Sequence, residues 1–128
     1  MKKLVIGLAL AMLAISATPS FAQVPPVKNP VGIAFDSPDH ANAAVTGYMV
    51  EIVKTDGSVL QTLQIQKSNT TVRVSDGKVV VTINVQPITF GTYTFRAFTV
   101  AGTVFSVPSP LSDPWERVAG SPSKPIVQ

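Results

Sequence analysis

Few side chains in this sequence could do chemistry, and most of them stand far apart. His40 is the only histidine, cysteine is absent, and the seven carboxylates, Asp36, Asp39, Glu51, Asp56, Asp76, Asp113 and Glu116, are scattered along the chain. Acid, base or nucleophilic catalysis needs matched groups within hydrogen-bond reach in a pocket. No Gly-x-Ser-x-Gly elbow supplies a nucleophile, so the sequence is read as non-enzymatic, with no catalytic residue and no cofactor. The one local cluster is Asp36, Asp39 and His40, whose two carboxylates and imidazole are ligands a divalent cation accepts. Asp and Pro are also ordinary turn formers, and one loop provides too few ligands alone. The stretch Asp36-Ser37-Pro38-Asp39-His40 is therefore read as a turn, and no metal is assigned.

Binding is the better lead, and it falls on side chains that strand periodicity would turn outward. In Val45 to Lys54, Tyr48, Val50 and Ile52 share one face while Met49, Glu51 and Val53 share the other. In the later stretch Tyr93, Phe95 and Ala97 alternate with Thr94, Arg96 and Phe98, as in a half-buried sheet. With the first set inward, Met49 and Phe98 become an apolar pair beside Glu51 and Arg96, suited to a protein partner. Trp115, the only tryptophan, has two roles open to it: plugging the end of the fold, or projecting as an anchor for a protein or a sugar ring. The candidate binding residues are thus Met49, Arg96, Phe98 and Trp115. The partner is an unidentified protein, the chain itself included, with polysaccharide as the alternative.

Several elements must position these groups. Lys2 and Lys3 precede an apolar run from Leu4 to Ile15, with small residues at Ser20 and Ala22, the pattern of a secretory signal peptide over residues 1–22. Cleavage after Ala22 would send the product to the periplasm or the exterior, with no membrane span left in it. Residues 23–128 keep eight basic residues against seven acidic ones, a net of +1. No basic run remains to bind nucleic acid. An exported chain without cysteine must rest on its hydrophobic core.

Residues 23–30 hold Pro25, Pro26 and Pro30 and read as an extended arm. Strands follow at Val31 to Phe35, Val45 to Lys54, Val59 to Gln66, Thr71 to Ser75 and Lys78 to Val85, the last with Val79, Val81, Ile83 and Val85 on one face. Asp56-Gly57 and Asp76-Gly77 are two-residue hairpin signals. A strand at Tyr93 to Val100 and, after Gly102, a short one at Thr103 to Val107 complete about seven. The polar outer face of Val59 to Gln66 suits an exposed edge. Residues 117–128, rich in Pro and Ser, read as a flexible tail.

The stretches VGIAFDSPD, VTGYMVEI, GTYTFRAFTVAG and SVPS together resemble a fibronectin type III module over roughly residues 31–111, and residues 31–116 are taken as that domain. The resemblance implies an all-β, immunoglobulin-like antiparallel sandwich of about seven strands. It implies that the Met49 and Phe98 strands are neighbours, so that Arg96 and Glu51 pair across the sheet. It makes Tyr93 a tyrosine-corner residue bonded to backbone a few residues upstream, with Val85 and Pro87 in the corner and Ile88-Thr89-Phe90 as an insertion. Phe35 stands where the family usually has a core Trp. Too few residues precede it for two full strands, so the first strand is either replaced by the arm or missing, and a neighbouring molecule could receive the arm as an added strand. The Met-Lys-Lys start resembles bacterial export signals.

Overall fold

The computed structural model describes residues 25–128; the signal peptide expected over 1–22 and the first two residues of the arm lie outside them. Among the described residues nine strands form: β1 (Val27–Lys28), β2 (Gly32–Phe35), β3 (Gly47–Lys54), β4 (Val59–Gln66), β5 (Thr70–Val72), β6 (Val79–Thr82), β7 (Gly91–Ala101), β8 (Val104–Phe105) and β9 (Trp115–Arg117). One short 3-10 turn, Lys67–Asn69, joins β4 to β5. The larger sheet runs β1-β9-β7-β3-β4, with β8 also on β7, and the smaller runs β2-β6-β5. The described residues thus form an all-β sandwich.

The period-2 pattern is what builds it. Tyr48, Val50 and Ile52 are almost wholly buried, as are Val79 and Val81 of the facing sheet, and Ile83, Val85, Tyr93, Phe95 and Trp115 join the same core. Ile33 and Phe35 pack on it from β2, and the Phe35 ring meets Tyr48 edge-on across the sheets with centroids 5.1 Å apart. Each buried aliphatic side chain contributes about 1.5–3 kcal/mol of apolar transfer. With no disulfide present, that burial must offset the entropy of ordering the chain.

Both Asp-Gly turns form, but as longer loops than two residues. Gly57, at φ 88°, donates its N–H to Lys54 O at 3.0 Å, and Lys54 N–H reaches Ser58 O at 2.8 Å. That is a three-residue loop closed by a left-handed glycine. At the second turn Gly77, at φ 71°, donates to Arg73 O, giving a four-residue loop between Arg73 and Lys78.

Tyr93 bonds backbone a few residues upstream, as expected of a tyrosine corner, and its acceptor lies in the segment just before β7. Tyr93 Oη donates to Thr89 O at 2.8 Å and lies 2.9 Å from Thr89 Oγ1. Thr89 belongs to the segment read as an insertion, so that segment is part of the corner. Tyr93→Phe is expected to cost about 1 kcal/mol, the net worth of such a bond. The shift of the urea midpoint at constant slope measures it.

Three expectations for the chain ends are corrected. The arm does not lead in freely: β1 runs parallel to β9, pairing Val27 with Trp115 and Lys28 with Glu116, so the sandwich is not purely antiparallel. The arm is thereby bound to its own chain, and it joins the sheet opposite β2. Arg117, assigned to the flexible tail, is 7% exposed and belongs to β9. The last hairpin is the third correction, since β8 holds only two residues. Beyond it Ser106, Ser109 and Ser112 step past Thr99, Ala97 and Phe95, three residues of one chain against two of the other. Each serine donates its backbone N–H to the β7 carbonyl at 2.8–2.9 Å. Its Oγ accepts the β7 N–H at 2.8–2.9 Å and donates to the carbonyl of the residue after it. A hydroxyl thus replaces the backbone acceptor that an extra residue per step throws out of line.

Candidate functional site

The expected outer-face cluster assembles. β3 and β7 pair so that Met49 lies opposite Phe98 and Glu51 opposite Arg96. Arg96 Nε and Nη2 both reach Glu51 Oε1, at 2.9 and 2.6 Å, and the guanidinium sits 5.8 Å from the Phe98 ring centroid. The pair neutralises both charges and holds an apolar pair, Met49 and Phe98, beside it. Met49 and Phe98 are both half-buried. Val100, two residues beyond Phe98 on the same strand, is buried where β8 places Phe105 opposite it.

Trp115 does not belong with them. It is 3% exposed, stacked on Phe95 with centroids 4.7 Å apart and tilted on Tyr93 at 5.1 Å. The plug is the role the structure gives it, and as an anchor for protein or sugar it is corrected, because the inward face of β9 turns the ring into the core.

The Asp36, Asp39 and His40 cluster separates on folding. His40 Nδ1 lies 2.6 Å from Tyr48 Oη, with the rings stacked at 5.9 Å, and Ser37 Oγ reaches the same hydroxyl at 2.8 Å. Asp36 turns to Lys78 Nζ at 3.2 Å. The imidazole closes the loop over a buried tyrosine, whose hydroxyl needs partners. Among the described residues no three His, Asp or Glu side chains converge as a metal site, and no helix is long and apolar enough to cross a membrane.

Sequence reasoning missed a cleft at the open side of the sandwich. Because the arm joins the other sheet, β2 has a strand neighbour only in β6 among the described residues. Ile83 N–H bonds Val31 O at 2.9 Å, and the register pairs Ile33 with Val81 and Phe35 with Val79. By antiparallel alternation, Ile33 and Phe35 bond to β6 while Gly32 and Ala34 point their N–H and C=O outward. Beside this edge lies a cleft of about 370 Å³ between β2 and the serine segment. Phe95 and Ala97 of β7 and Ile33 and Phe35 of β2 line it, with Ser109 and Ser112 on the far side and Asp36 and Lys78 as the charged residues at its rim. The signal in the sequence was the shortage of residues before Phe35; where the arm would go was not local information.

No family model, curated protein or solved structure matches this chain.

Proposed function

We propose that this chain is a non-enzymatic exported module that contacts other proteins, receiving an extended segment of its partner as an added strand along β2. The observation that carries the reading is the free β2 edge beside an apolar cleft. An added strand gains main-chain hydrogen bonds at Gly32 and Ala34 and directs alternate side chains into the cleft, the combination that peptide recognition by strand addition uses. The ligand chemistry that follows is an extended segment with alternating apolar residues and no proline where it meets Gly32 and Ala34. Export rests on the leader pattern of residues 1–22, and the fibronectin type III resemblance agrees with the sandwich.

A second contact surface is supported by the Glu51–Arg96 pair, which leaves the Met49 and Phe98 face neutral. The sugar-binding alternative loses Trp115; among the described residues the exposed aromatic rings in its place are Phe90 and Phe105, which lack a polar tip for hydroxyls.

The test is amine cross-linking of the protein in envelope and medium fractions of its source, followed by mass spectrometry. A partner segment linked through Lys78, at the cleft, is expected in preference to Lys54. Ala34→Pro removes an outward N–H and leaves the β6 ladder intact, so it should abolish that link without lowering the yield of folded protein. A partner captured equally well by Ala34→Pro overturns strand addition at β2.

A further inference from the structure

Of the strand edges among the described residues, β4 is the one left long and unguarded. Its sequence, Val59 to Gln66, carries no charge and no proline, and it pairs only with β3 among the described residues. Elsewhere on that sheet the edge is blunted: β1 is two residues long and follows Pro25 and Pro26, and the segment beside β7 carries Pro108 and Pro110. Short strands, proline and charge are how proteins prevent edge pairing, and β4 uses none of them along its length.

The hydrogen-bond phase of this edge is fixed. Lys67 N–H bonds Thr46 O at 3.0 Å, and the register continues Tyr48 with Ile65 and Val50 with Leu63. Thr62, Gln64 and Gln66 therefore direct their N–H and C=O groups away from β3, six groups in all. The register slips between Ile52 and Val53, so the regular edge ends at Gln61.

We propose that β4 pairs antiparallel with β4 of a second copy about a two-fold axis at Gln64. In that register Gln64 faces Gln64 of the partner and Thr62 faces Gln66, so all six outward groups are satisfied from each side and none is left over. On the inner face Leu63 meets Ile65 twice. Both are half-buried and pack against the core of their own chain, and each would extend that core to the other copy. Strong pairing on one face with polar amides on the other also pins the register. The strand itself brings no charge to the contact, so self-pairing meets no like-charge repulsion within it. A two-fold contact of this kind closes at two copies, joining the larger sheets into one.

The chain lacks cysteine, which makes the axis directly testable. Paired residues in a hydrogen-bonded position have Cα atoms about 5.5 Å apart, within disulfide reach. Gln64→Cys is therefore expected to give a covalent dimer on mild oxidation. Gln66→Cys is expected not to, because its own copy lies four residues along the partner strand, about 13 Å away. By analytical ultracentrifugation the unmodified protein is expected at twice the monomer mass. Gln64→Pro, which removes an outward N–H without touching the β3 ladder, is expected at the monomer mass with unchanged circular dichroism. A wild-type monomer at high micromolar concentration overturns the proposal. So does a dimer that survives Gln64→Pro, equal cross-linking at 64 and 66, or a mass that grows with concentration beyond two copies. None of these outcomes bears on the β2 edge, which lies on the other sheet.

Discussion

Trp115→Ala is expected to lower the unfolding free energy by about 3–5 kcal/mol, the usual cost of emptying a buried aromatic site. A small domain has about 5–15 kcal/mol in total, so the variant should be partly unfolded well below the wild-type melting temperature. The ring is 3% exposed and lies against both Phe95 and Tyr93, so its loss opens a cavity between β7 and β9 where the arm is also attached. Its Nε1 has no hydrogen-bond partner among the described residues. That makes Trp115→Phe informative: it keeps most of the stacking and deletes a polar group that was buried at a cost. It should recover most of the loss, within about 1.5 kcal/mol of wild type. Thermal melts followed by circular dichroism compare all three proteins without relying on the indole they alter. Equal losses for the two substitutions would mean that the indole N–H, and not the packing, is what the site requires.

Trp115 also shows what sequence reading could and could not reach. Alternation gave the inward faces of β3, β6 and β7 because a period of two is carried by neighbouring residues. The Arg96–Glu51 pair followed once those faces and the strand order implied by the resemblance were combined. Three features lacked such a local signal. The parallel pairing of β1 with β9 joins residues nearly ninety positions apart, and two residues are too few to carry a period. The serine segment repeats every three residues against two, matching neither strand nor helix, and its Pro and Ser content is the composition usually read as irregular. The open edge of β2 exists only because the arm goes to the other sheet, so it is a property of the whole topology and of no one stretch.

Arg117→Met is expected to destabilise the protein by about 3 kcal/mol and to release the arm. Arg117 is 7% exposed and forms none of the salt bridges among the described residues, yet each of its five N–H donors has an acceptor. Nε bonds Val85 O at 2.9 Å; one terminal nitrogen bonds Asn29 Oδ1 at 3.1 Å and Val118 O; the other bonds Gln86 O at 3.0 Å and Gln86 Oε1 at 3.3 Å. The Phe90 ring lies 5.1 Å from its central carbon, and a ring face attracts a cation. One planar fork thus ties β9 to the corner before β7 and to the arm. Methionine keeps the aliphatic bulk but leaves those oxygens unpaired, at about 1–3 kcal/mol for each one that stays buried. Lysine keeps the charge but offers three donors from a single point, so Arg117→Lys should restore little. Asn29 makes the coupling measurable. It sits at φ 48°, a left-handed conformation that Asn tolerates, and its Oδ1 also accepts Val118 N–H at 2.9 Å. Asn29→Gly keeps that backbone accessible and deletes the acceptor. A double-mutant cycle between Arg117→Met and Asn29→Gly is expected to show a coupling of about 1 kcal/mol, with faster proteolysis at residues 25–30 in either single variant. Strict additivity would mean that the arm is held by the β1–β9 pairing alone and that Arg117 serves only the corner.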